Sequence, residues 1–162
     1  MSEIRRIVGV SPTSRGFGFA VLESPENLVD WGLAHVRPPE PRKVACRAVE
    51  LLERHRPDLL VLPTWEGSRY GERSREVLEL VGREASARKV EVLRMEGEEV
   101  RRRFSDVGLT KHDRAVALAE RFPELSSRLP KKRRPWQTQD ERLAVFDAAM
   151  LVIASDLQRS QE

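Results

Sequence analysis

Apolar residues along this chain fall into two periods, and the switches between them mark out its elements. The segment IRRIVGVS (4–11) is apolar, β-branched and interrupted by one Gly, which predicts a strand ending at Ser11-Pro12. SPTSRG (11–16) has turn composition, RGFGFAVLE (15–23) reads as a second strand, ESPEN (23–27) as a second turn, and NLVDWGLAHVR (27–37) as a third strand. Strands joined by such short connections pair antiparallel. PPEP (38–41) ends the pattern. From 42 to 56 the period becomes helical, with Val44, Ala45, Ala48, Val49, Leu51 and Leu52 on one side. LLVLP (59–63) is a short continuous apolar run, as expected of a central strand covered on both faces. After a polar loop (64–74), Val77, Leu78, Leu80 and Val81 define a second helix over 73–88, and KVEVLRM (89–95) a fifth strand. Helices are predicted at 97–106 and 111–122, followed by a basic loop, PKKRRPW (130–136). A last helix runs from about Thr138 to Leu157, with Leu143, Phe146, Ala149, Met150 and Ile153 among its apolar positions.

Composition narrows the class. With 162 residues and no internal repeat, the chain reads as a single domain over 1–162. No apolar run approaches the roughly 20 residues of a membrane span, and MSEIRRIVGV lacks a signal-peptide core. A cytoplasmic protein with no membrane partner is expected. The single Cys46 rules out an intrachain disulfide and a cysteine-based zinc site. His35, His55 and His112 sit in different elements without metal-ligand spacing, so surface or core roles are their default. Net charge is only +3, but 24 of the 29 basic residues are Arg and five are Lys. Arg pairs bidentately with phosphate and stacks on bases, so the bias fits nucleic-acid contact; a GC-rich genome or a hot habitat accounts for it equally well.

The element order, βββ-α-β-α-β-α(α)-α, is that of an α/β protein with a ribonuclease H-like five-stranded mixed sheet, its three antiparallel strands first and its faces flanked by helices. VGVSPTSRGFGFAVLE (8–23) resembles the opening of RuvC-type Holliday junction resolvases, G-I-D-P-G-x-x-x-x-G-[YW]-A-V. LLVLP (59–63) stands where that family has a strand ending in Glu, and FDAAMLVIA (146–154) is similar to its closing D-A-x-[AD]-x-[AL]-x-x-A helix. VGLTKHDRAVALAERFPEL (107–125) looks like its G-x-x-K-x-x-[VI] stretch, with Lys111 at the lysine. In the active members the resemblance implies three carboxylate-bearing positions holding two divalent ions that clamp a phosphodiester.

This chain departs from that pattern where the chemistry lies. Ser11 stands at the first catalytic Asp and Pro63 at the Glu, so the resemblance leaves Asp147 as the matching acid. Asp140 and Asp147 are seven apart and share a face of the predicted helix; Glu141 adjoins Asp140. Thr64 and Glu66 lie just past Pro63. Each position has a plainer reading. A buried Asp147 needs only a backbone amide or an Arg as partner. Asp140 and Glu141 suit the first turn of a helix. Ser11 suits the turn before Pro12. KKRR is ordinarily a solvated loop, Trp136 beside it is placed to stack on a base, and Trp65 is either a lid over the sheet end or part of an interface.

Three functions remain in view. The first is a RuvC-like protein that contacts branched or single-stranded nucleic acid without cutting it, using Arg15, Arg69, Lys111, Lys131, Lys132, Arg133, Arg134 and Trp136, with no cofactor. The second is an active Mg- or Mn-dependent junction endonuclease with a rearranged acidic set of Glu66, Asp140, Glu141 and Asp147, the last of these a metal ligand. The third is a protein-interaction module, with a homodimer as one option, that reuses the fold.

Overall fold

The computed structural model describes residues 5–23, 27–64, 70–106, 110–130 and 141–160, the side chains of 157–160 excepted. Strands β1 (Arg6–Pro12), β2 (Gly16–Glu23) and β3 (Asn27–His35) form an antiparallel meander. Helix α1 (Pro41–His55) then crosses to β4 (Leu59–Pro63), and α2 (Glu72–Ala87) to β5 (Glu91–Met95). Because β4 joins β1 in parallel and β5 joins β4 in parallel, the sheet order is β3-β2-β1-β4-β5. LLVLP is thus an interior strand beside the first, and all five of its residues are buried. Helices α3 (Gly97–Arg103), α4 (Lys111–Arg121) and α5 (Leu143–Ser160) complete the element order; a 3-10 helix at Pro123–Arg128, which the apolar pattern did not predict, follows α4.

Strand alternation distributes the core between two faces. Val8, Val10, Phe17, Val21, Leu60 and Leu62 point to the side covered by α1 and α2, where they meet Val44, Leu52, Leu78 and Val81. Ile7, Ala20, Leu22, Leu59 and Val61 point to the other side and pack with Phe146, Ala149 and Val152 of α5 and with Ala115 and Leu118 of α4. Gly9, Ser11 and Pro63 share the parity of this second set, which aims them at α5.

Helix α5 lies against the sheet at backbone distance. A side chain at Gly9 would collide with the Ala148 carbonyl and with Val152, and one at Gly18 with the backbone of Ala144. Ala144, Ala148 and Val152 are spaced four apart, so one ridge of α5 rests in the groove that the two glycines leave across β1 and β2. Ser11 is the register partner of Gly18. The packing that seats α5 therefore also brings its N-terminal half to the end of β1.

The helix starts later than the apolar pattern suggested. Glu141 and Arg142 form a turn ahead of it, tightened by bonds from the Ala144 and Val145 amides to the carbonyls of Glu141 and Arg142. Glu141 is therefore not a first-turn helical acid, and its carboxylate faces the β1–β2 turn instead, where it accepts a hydrogen bond from Ser14 at 2.9 Å.

Gly9→Ala should lower stability by about 1–3 kcal/mol, because the added methyl forces α5 off the sheet. Gly71→Ala, where an added methyl meets open space, should have little effect. Denaturant unfolding of the two variants beside the parent checks this.

Candidate nucleic-acid interface

The carboxyl ends of β1 and β4 open into a cleft of about 980 Å³, walled by α3, α4 and the first half of α5. Ser11 and Pro63 are in its lining, and Asp147 enters from α5. The three positions that the sequence resemblance singled out thus surround one space. Ser11 is 3% exposed and hydrogen-bonds the Tyr70 side chain. Pro63, the last residue of β4, brings no side-chain oxygen. Thr64 follows it, its amide bonded to the Met95 carbonyl at 3.0 Å.

Asp147 is tied to a cation. Lys111 Nζ donates to Asp147 Oδ2 at 3.1 Å, with the aspartate side chain 23% and the lysine side chain 46% exposed. Burial pushes the Asp147 carboxyl above the usual carboxylate range, and Lys111 and Arg114 pull it back toward ionisation. Lys111 is the first residue of α4, and its position follows from a capping box. The Thr110 hydroxyl accepts from the Asp113 amide at 3.0 Å, and the Asp113 carboxylate accepts from the Thr110 amide at 3.4 Å. Lys111 and Arg114 are three apart and so share the face of α4 turned to the cleft. Arg114 is only 6% exposed; burial lowers its pKa, Asp147 and Asp113 oppose that, and Arg101 reinforces it.

Charge around the cleft is divided. Ser11, Tyr70 and Thr64 line it together with Lys111 and Arg114, and so do Glu96 and Glu98 at the start of α3. Burial raises the Tyr70 phenol pKa, the Asp147 charge adds to that, and the Ser11 hydrogen bond offsets part of it. Tyr70 therefore stays a neutral hydroxyl over the physiological range.

Glu141 also lines the cleft, but its carboxylate is occupied by Ser14, by Arg15 at 3.8 Å and by His35 at 3.4 Å. Arg15 sits in the exposed β1–β2 turn. His55 pairs with Asp30 at 2.9 Å, away from this site. Trp65, Glu66, Arg69, Lys131, Lys132, Arg133, Arg134, Trp136 and Asp140 lie outside the described residues.

A two-metal centre needs hard, negatively charged oxygens shared between two ions. Among the described residues no three His, Cys, Asp or Glu side chains are grouped to hold a metal. The Asp147 carboxylate already has the Lys111 ammonium as its counterion. The described residues do not fit such a centre, and no step through metal follows from them.

Reading from sequence passed over three contributors. Arg114 was detectable, being three residues beyond Lys111 on a predicted helix. Tyr70 and Arg101 carried no comparable signal, since a polar loop and a highly charged short helix give no periodicity to orient them.

No protein-family model matches this chain, and no curated protein sequence does. Solved structures do. A Thermus thermophilus RuvC in complex with a Holliday junction substrate superposes with a TM-score of 0.69 at 16% identity, covering 97% of this chain and 96% of that one. A second Thermus thermophilus RuvC structure gives 0.67 at 16% identity, with 96% of each chain covered. The yeast mitochondrial Holliday junction resolvase Ydc2 gives 0.62 at 10% identity, covering 99% of this chain and 81% of that one. Nearly the whole chain is thereby matched in each case, and the fold is RuvC-like, of the ribonuclease H-like type.

Proposed function

We propose that this chain, acting as one domain, binds branched or single-stranded nucleic acid across the cleft at the ends of β1 and β4 and does not cleave it. The observation that carries the reading is the Lys111–Asp147 pair. In a RuvC-like fold it places a fixed ammonium beside the one carboxylate at a matching position, with Ser11 and Pro63 at the other two. A lysine neutralises charge as a dication does, but it generates no hydroxide at neutral pH. The site then retains attraction for phosphate and loses the means of activating water.

The RuvC whose fold this chain shares was captured with a Holliday junction substrate, which supports a branched partner. Arg15 in the β1–β2 turn, Arg69 in the segment after β4, Lys111 within the cleft, and the basic stretch Lys131, Lys132, Arg133 and Arg134 supply the phosphate contacts in this reading, with Trp136 stacking on an unpaired base. The described part of the chain has no helix long and apolar enough to cross a membrane.

Stoichiometric protein with Mg²⁺ or Mn²⁺ should leave four-way DNA junctions uncut; cutting that Asp147→Asn abolishes would reinstate a nuclease with a rearranged acidic site. Asp147→Asn should also tighten binding, because the Lys111 ammonium that meets the phosphate is then no longer offset by a carboxylate. The log–log salt slope should steepen by up to about 0.9, the contribution of one further phosphate on duplex arms. Replacing residues 131–134 with Ala should do the opposite, flattening the slope by about 0.9 for each phosphate no longer neutralised. Fluorescence anisotropy over a salt series reads both. Absence of binding at low salt would favour a protein-interaction module.

A further inference from the structure

Three side chains on the cleft floor have a chemistry that phosphate backbone attraction alone does not require. Among the described residues, Thr64 Oγ1 is the buried side-chain polar atom left without a hydrogen-bond partner. An unpaired buried hydroxyl costs about 1–3 kcal/mol, so such a donor is usually accounted for by a ligand or a water. Thr64 lines the same cleft as Ser11 and Tyr70. Those two hydroxyls lie close enough to affect each other, and each carries one O–H donor. Lys111 spends one of its three N–H donors on Asp147 at 3.1 Å and keeps two. Arg114 lies alongside it in the lining, close enough to Asp147 to be affected by its charge.

We propose that Thr64, Tyr70, Ser11, Lys111 and Arg114 form a seat for one phosphodiester group of a bound strand, working without a metal ion. This rests on the nucleic-acid reading above and names the atoms that would carry it. Neutral hydroxyls that turn toward an anion, backed by an ammonium and a guanidinium, supply charge-assisted hydrogen bonds to phosphate. Asp147 does not repel the phosphate directly, because the Lys111 ammonium stands on it and can bridge the two. Glu96 and Glu98 at the side of the cleft oppose neighbouring phosphates, so the seat takes one group and forces the strand to leave the floor on that side. The seat therefore reads backbone geometry, a bend or a crossover, more than the length of strand engaged.

The test combines a change in the ligand with a change in the protein, in buffer containing EDTA. Four-way DNA junctions carrying a single uncharged methylphosphonate linkage, walked along the strands near the crossover, are titrated with wild type and with the combined Tyr70→Phe, Thr64→Val variant. Folding is checked by thermal melting, with Thr64→Val alone as the fallback because it preserves shape. The expected result is one linkage position at which neutralisation weakens wild-type binding about tenfold or more, as loss of hydrogen bonds to a charged acceptor should. The variant should bind the fully charged junction about tenfold more weakly, and its penalty at that linkage should shrink, since both changes remove the same hydrogen bonds. Wild-type affinity in the folded variant, or an undiminished penalty at every position, overturns the seat while leaving junction binding intact. Failure of wild type to bind any junction at low salt overturns the seat and the nucleic-acid reading together.

Discussion

The docking of α5 on β1 and β2 through Gly9 and Gly18 is the constraint on which the rest of this structure depends. Helices usually stand off a sheet by the thickness of two side-chain layers. Here the sheet side is reduced to backbone, so Ala144 and Ala148 touch the strands themselves. That closeness fixes the height and rotation of the helix. It also fixes where Asp147 falls, one residue before Ala148 on the ridge that meets Gly9 and close to the end of the strand that carries Ser11. Ile7, Leu59 and Val61 below and Phe146, Ala149 and Val152 above fill the space on either side, so the helix has little freedom to slide. The cleft is thus a consequence of packing: its lining comes from β1, β4, α3, α4 and α5, and α5 is held by apolar contacts with the sheet.

Within that frame the electrostatics are economical. A half-buried carboxylate is costly unless paired. Lys111 supplies the pair from the first position of α4, where the Thr110–Asp113 box holds the helix start in place. Glu141 is paired with Arg15, accepts a hydrogen bond from Ser14 and lies 3.4 Å from His35, which also pins the β1–β2 turn to the segment leading into α5. Each of these two acids at the cleft thereby has its partner in a side chain of the protein. Ser11, Tyr70 and Thr64 line the same cleft, together with Lys111, Arg114, Glu96 and Glu98, so it carries charge of both signs.

Much of the fold was legible because its signals are local. The period-two meander, the continuous LLVLP run and the helical spacing of α1 and α2 each fix an element without reference to its neighbours, and the order of those elements fixes the sheet. The start of α5 was not legible: Asp140, Glu141 and Arg142 read as a helical first turn, yet Glu141 is held by the β1–β2 turn, a pairing between residues more than a hundred apart in sequence. The 3-10 helix at Pro123–Arg128 is too short for its single buried Leu125 to show a period. In the site, Ser11, Pro63, Lys111 and Asp147, which the sequence resemblance singled out, line one cleft. The pairing of Lys111 with Asp147 was not legible, since it depends on how α4 lies against α5. Tyr70 reaches Ser11 from a loop whose composition says only that it is polar.

The central claim is that protein side chains supply, at this cleft, the charge that divalent ions supply in a two-metal nuclease. Junction affinity measured in EDTA and again with Mg²⁺, at matched ionic strength, tests it most directly. The account predicts the same dissociation constant in both. A large gain in affinity on adding Mg²⁺, abolished in Asp147→Asn, would show that a metal occupies the site and would contradict it.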